Sequence, residues 1–151
     1  MITLYVDADA CPVKDETVDV ASRRNVAVVI VSNGGIRPSR YPAARIVTVP
    51  DGPDVADDWI VDNCQSGDVV VTADIPLASR ALEKGAVALG PTGREFTAET
   101  IGAALSMRAF NQHLRETGES KGYNAAFSAA DRARFLEALH RVLTRLGSPA
   151  R

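Results

Sequence analysis

Five short apolar runs, separated by stretches of helical pattern, constrain this chain more than any other feature. Ile2–Val6, Val26–Val31, Ile46–Val49, Val69–Thr72 and Ala86–Leu89 each read as a strand. Val26–Val31 is apolar without a break, as in a strand covered on both faces. Helical stretches lie between the runs: Pro12 to about Arg24, Asp54 to about Cys64, and Pro76 to Lys84, which Gly85 ends. Asn33-Gly34-Gly35, Asp51-Gly52-Pro53-Asp54 and Gly67-Asp68 are turn signals, and residues 36–44, with Pro38 and Pro42, form an irregular loop. Strands that alternate with helices of this length make βαβ units, so the fold class is α/β with a mostly parallel sheet.

The pattern changes after Gly90-Pro91-Thr92-Gly93. Thr97 or Thr100 begins a helical stretch through Leu105, Met107, Phe110 and Leu114 to about Thr117. Gly118–Phe127 is polar and loop-like. Ser128-Ala129-Ala130-Asp131 has the pattern of a capping box and opens a last helix to about Leu146, with Phe135, Leu136, Leu139, Val142, Leu143 and Leu146 on its apolar face. The expectation is one domain over residues 1–151: an α/β core at 1–90, with the helical extension at 97–147 packed on it.

Hydrophobic and charged shares of 46% and 24% are those of a globular protein. No apolar run approaches the ~20 residues of a membrane span. The N-terminus lacks the basic-then-apolar order of a signal peptide, so Ile2–Val6 serves better as a core strand. A cytoplasmic location with no membrane partner is expected. Two cysteines without zinc spacing make no disulfide framework. Cys64 reads as packing and Cys11 as a small residue in a tight turn.

Aspartates gather where strands end. Asp7 and Asp9 follow the first strand, Asp57 and Asp58 stand in the first turns of the helix after Pro53, and Asp74 follows the fourth strand. Ligands of open α/β sheets bind beyond the carboxyl ends of the strands. Carboxylates placed together there repel one another unless a cation intervenes, and Mg2+ or Mn2+ wants several such oxygens. Asp7, Asp9, Asp57, Asp58 and Asp74 are therefore the candidate metal ligands, with Asp7, Asp9 and Asp74 the candidate catalytic groups. Each has a structural alternative, because aspartate also caps helices and satisfies turn amides; Asp54 and one of Asp57 and Asp58 read that way, and Asp74 would cap the helix near Pro76. Lys14, Ser32, Asn33, Thr72 and Arg80 lie near the same edge and are the candidate substrate-binding residues, with Thr72 placed to orient Asp74. Both histidines, His113 and His140, fall in the C-terminal helices, so no nucleophile triad is supported. No phosphate-binding glycine-rich loop is present either.

The segments VDADACPVK, GPDVADDWIV, GDVVVTADIPLA, LEKGAVAL and DRARF together resemble the YaiI/YqxD family of bacterial proteins over nearly the whole chain. The resemblance implies a PIN-like, three-layer α/β/α fold with a mostly parallel five-stranded sheet in the order 3-2-1-4-5. By analogy with metal-dependent nucleases, it places the acidic site on Asp7, Asp9, Asp57 or Asp58, and Asp74. Two departures from the family pattern are visible: Thr92 stands before Gly93 where an arginine is usual, and Lys121–Phe127 replaces a Gly-Pro-rich stretch.

The resulting expectation is a PIN-like phosphodiesterase that uses Mg2+ or Mn2+ and acts on RNA. Charge is distributed to suit this reading. Residues 1–79 carry 12 acidic and 6 basic side chains and residues 80–151 carry 7 and 11, while the whole chain is only −2. Arg108, Arg115, Arg132, Arg134 and Arg141 would then track a nucleic-acid backbone, with Tyr41, Tyr123 or Phe127 the few aromatics for stacking. One alternative is a haloacid-dehalogenase-like phosphatase with Asp7 as nucleophile, Val29–Gly34 as its second motif, and strands one to three consecutive on one side of the sheet. Another is a non-catalytic nucleic-acid-binding module. Oligomeric state is left open.

Overall fold

The computed structural model describes residues 2–8, 12–34, 43–52, 54–102 and 128–147. Its elements alternate as the sequence pattern requires. They are β1 (Thr3–Asp7), α1 (Lys14–Arg24), β2 (Ala27–Ser32), β3 (Arg45–Thr48), α2 (Val55–Asn63), β4 (Val69–Val71), α3 (Ile75–Glu83), β5 (Val87–Leu89), β6 (Glu95–Phe96) and α4 (Ala129–Arg145). Residues 98–102 form a further helical turn.

The sheet runs β3-β2-β1-β4-β5-β6. The first five strands are parallel, in the expected order 3-2-1-4-5. The sixth was not expected: Glu95–Phe96 turns back antiparallel to β5, pairing Leu89 with Glu95 and Ala88 with Phe96. So short a strand carries no periodicity of its own. It exists because the chain returns along an open sheet edge.

Alternate residues of each strand feed two cores. Leu4, Val6, Val28, Ile30, Val69, Val71 and Leu89 pack with Val18, Val20 and Ala21 of α1 and with Phe135, Leu139, Val142 and Leu143 of α4. Tyr5, Val29, Val31, Val70 and Ala88 pack with Ile60 of α2 and with Leu77, Ala78 and Ala81 of α3. The arrangement is three layers, α/β/α, with every central strand covered on both faces. The side chains of Phe135 and Leu139 are wholly buried, so α4 completes one core. Each such side chain contributes roughly 1.5–3 kcal/mol by leaving water.

Helix ends follow local chemistry. Asp74 is the N-cap of α3 and accepts from the Leu77 amide at 3.0 Å, with proline in the first turn. Ser128 and Asp131 form the anticipated capping box of α4. Asp54 departs from expectation. It holds the N-cap position of α2 in a left-handed conformation, φ 64°, and its side chain caps nothing.

Among the described residues no helix is long and apolar enough to cross a membrane.

Candidate functional site

The sheet changes direction of construction between β1 and β4, whose connections leave toward opposite sides of the order. A ligand crevice is expected at that point, outside the carboxyl ends of the strands. A cleft of about 180 Å3 lies there, lined by Asp7, Asn33, Gly52, Asp54, Ala56, Asp57 and Asp74. Among the described residues, four of the seven that line it are aspartates, and none is a lysine or arginine.

Asp7 ends β1 and is 4% exposed. Its Oδ2 accepts from the Thr72 hydroxyl at 2.9 Å, and the same hydroxyl oxygen accepts from the Asp74 amide at 2.9 Å. Thr72, wholly buried, thus joins the ends of two neighbouring strands. The sequence places Thr72 to orient Asp74 by a hydrogen bond; that bond is made with the Asp74 amide, and the hydroxyl proton goes to Asp7 as well. Asp74 caps α3 through Oδ1 and lines the cleft at once, so its structural role does not remove it from the site.

Asp57 and Asp58 separate on the helix. Asp57 is 9% exposed and lines the cleft, whereas Asp58 turns outward and pairs with Arg80 at 2.8 Å. Burial pushes the Asp57 carboxyl up to about 6, and the negative charges of Asp74, Asp7 and Asp54 push in the same direction; Arg80 opposes them. Asp54, which sequence reading set aside as a cap, is part of this crowd. Its three-residue spacing from Asp57 in the same turn region was the available signal.

Other candidates have private partners. Arg80 is the partner of Asp58, and Lys14 Nζ donates to the Ala8 carbonyl at 3.3 Å. Ser32 is buried, and its hydroxyl exchanges hydrogen bonds with both the carbonyl and the amide of Gly34. Of Lys14, Ser32, Asn33, Thr72 and Arg80, only Asn33 lines the cleft, its amide tethered to the Pro50 carbonyl at 3.1 Å. Asp9 and Cys11 lie outside the described residues, as do Tyr41, Arg108, Arg115, Tyr123 and Phe127. Cys64 is buried as packing, and burial raises its thiol pKa.

Residues 5–145 match a protein family described as "Uncharacterized BCR, YaiI/YqxD family". The chain belongs to the YaiI/YqxD family. It is similar to the UPF0178 protein of Mesorhizobium japonicum, with 66% identity over 143 residues that cover 95% of this chain and 92% of the relative. The UPF0178 protein of Parvibaculum lavamentivorans is 60% identical over 139 residues, covering 92% and 91%. That of Agrobacterium fabrum is 55% identical over 143 residues, covering 95% and 94%. No solved structure matches the chain. The YaiI/YqxD segments VDADACPVK, GPDVADDWIV and TADIPLA carry the four aspartates of the cleft: Asp7, Asp54, Asp57 and Asp74.

Among the described residues, no group of three or more histidine, cysteine, aspartate or glutamate side chains is arranged to enclose a metal ion. An ion that keeps most of its waters asks for fewer protein donors. Magnesium is commonly held by one or two carboxylates and keeps several waters, and Asp57 is crowded by like charge that such an ion would relieve.

Proposed function

We propose that this YaiI/YqxD protein is a PIN-like, divalent-metal-dependent phosphodiesterase acting on single-stranded RNA. One observation carries the reading: carboxylates from the end of β1, the start of α2 and the turn after β4 share a single cleft at the switch point of the sheet. A bound Mg2+ or Mn2+ would supply electrophilic stabilisation of a phosphoryl oxygen and acidify a coordinated water.

The protein's own groups have separable tasks. Thr72 holds Asp7 in place by donating to Oδ2, which leaves Asp7 an oriented oxygen donor. Asp57, buried among the same carboxylates, would complete the site or hold a water of the ion. Asp74 is anchored at Oδ1 by the Leu77 amide, so its position is fixed by α3. RNA is favoured as substrate by the basic second half of the chain.

The phosphatase alternative has less support. Strand order does not separate the two readings, because β1, β2 and β3 lie consecutively as the phosphatase reading also requires. Ser32, which would hold a phosphate in that reading, instead spends its hydroxyl on Gly34.

The test is cleavage of a single-stranded RNA oligonucleotide with Mn2+. Wild type should cut it, and Asp7→Asn, verified as folded, should lose at least about a hundredfold in rate. An inert wild type, or equal cleavage by the variant, would sink the proposal. Turnover of a small phosphorylated compound, with fluoroaluminate captured at Asp7, would replace it with the phosphatase reading.

A further inference from the structure

A second cleft, of about 350 Å3 and opposite in character, is lined by Thr92, Gly93, Arg94, Arg134, Glu137 and Arg141; its helical wall, α4, covers the face of the sheet opposite to α2 and α3. Its first wall is the loop after β5. Val71 and Leu89 are register partners and the Thr72 amide donates to the Leu89 carbonyl at 3.0 Å, so this loop leaves the sheet next to the Thr72–Asp74 turn. Adjacent strands are ~4.8 Å apart, which puts the two rims at neighbouring strand ends.

The loop is closed by bonds from the Gly90 amide to the Arg94 carbonyl, 2.7 Å, and from the Gly93 amide to the Gly90 carbonyl, 3.1 Å. Gly93 takes φ +91°, and a Cβ there would stand 2.5 Å from the Arg134 carbonyl oxygen. Only glycine lets the loop lie against the backbone of α4. That contact brings Arg94 to the helix face where Arg134, Glu137 and Arg141 recur at helical spacing.

Arg134 already pairs with Asp131, and Glu137 adds one negative charge to the lining. Arg94 and Arg141 are exposed and, among the described residues, held in no salt bridge. The nearby carboxylate of Glu95 is taken by Arg145. Arg141 also acts on the Glu95 carboxylate through space, but two arginines that line one open cleft, neither held in a salt bridge among the described residues, are matched to a phosphate, which a guanidinium can bind bidentately.

We propose that the Arg94–Arg141 cleft seats a backbone phosphate of a single-stranded polynucleotide. The ligand class rests on the phosphodiesterase reading; the arginine geometry does not. The test is fluorescence anisotropy with a labelled single-stranded RNA oligonucleotide and the full chain in EDTA, over a salt series. Wild type should bind with marked salt dependence. Arg94→Ala/Arg141→Ala should bind roughly tenfold more weakly, the loss of two exposed ion pairs. Its slope of log affinity against log salt should fall by ~1.4, about 0.7 for each lost contact with a single strand. Arg94→Lys/Arg141→Lys should restore the slope.

No binding by wild type, or wild-type affinity and slope in the alanine double variant, would overturn the proposal. Arginine-dependent binding without Mn2+-dependent cleavage would keep it and remove the hydrolase. Cleavage with an unchanged KM in the alanine double variant would do the reverse.

Discussion

Two buried aspartates at opposite ends of the sheet meet opposite fates. Asp68, at the amino end, is 6% exposed, and Asp57, at the carboxyl end, is 9% exposed. Asp68 Oδ1 accepts from the Thr3 amide at 3.1 Å and Oδ2 from the Gln65 amide at 2.9 Å, so both oxygens are answered by backbone donors. Asp57 is answered chiefly by other carboxylates, and its proton is held to about pH 6. Burial by itself therefore does not mark a functional acid. What distinguishes Asp57 is burial among like charges, the feature on which the proposed hydrolytic reading draws.

The largest expected effect breaks or sustains the amino-end half of this comparison. Asp68→Ala removes the acceptor of two amides and leaves them unsatisfied near the core. Unfolding in urea should show a loss of about 2–3 kcal/mol, with an unchanged slope. A midpoint equal to wild type would mean that those bonds are replaced by water and that the two ends do not differ as described.

Asp57→Asn should act with the opposite sign. In EDTA above pH 6 the variant should be more stable than wild type by about 1 kcal/mol, a figure reduced for solvent screening. The direction follows from linkage. Asp57 titrates at about 6 in the folded chain and near 3.8 when unexposed to its neighbours. Between those values the folded state holds the extra proton, so its destabilising charge is fully present above pH 6 and is relieved as pH falls toward 3.8. The stability difference between variant and wild type should shrink over that window. A difference that is flat with pH, or a destabilised variant, would show that Asp57 is satisfied after all.

The asymmetry between the two ends was only partly legible in the sequence. Short, mostly apolar runs announced β1, β2, β4 and β5 because a strand buried on both faces needs chiefly apolar residues. Asp57 and Asp58 could not be told apart, since adjacent helical residues point about 100° apart and only the packing of α2 decides which turns inward. Arg80 then claims Asp58 from a different helix, at a separation of 22 residues. The Thr72–Asp7 bond spans 65 residues and had no local signal. Asp54 looked like a cap because it precedes a helix, but its left-handed backbone leaves the side chain without a capping bond. Arg94 has no local sequence signal, because only the approach of Gly93 to the Arg134 backbone brings its loop against α4.

A smaller titration of opposite sign must be separated from that of Asp57. His140, on α4, accepts through Nδ1 from Arg24 Nε at 3.0 Å, while Arg24 Nη2 donates to Thr144 at 3.1 Å. Burial lowers the His140 pKa below 6.5, and the charges of Arg24 and Arg23 lower it further. An unfolded histidine near 6.5 therefore binds a proton before the folded one does, so this group's contribution is whole above pH 6.5 and is lost as pH falls through the folded value. The bond geometry requires it, since a protonated Nδ1 has no lone pair to offer the guanidinium. His140→Gln should flatten the loss of stability below pH 6.5 by a few tenths of a kcal/mol up to about 1 kcal/mol, read from urea midpoints at successive pH values. In His140→Gln/Asp57→Asn both slopes should vanish together. A surviving rise in stability on acidification would show that a group other than Asp57 carries that titration.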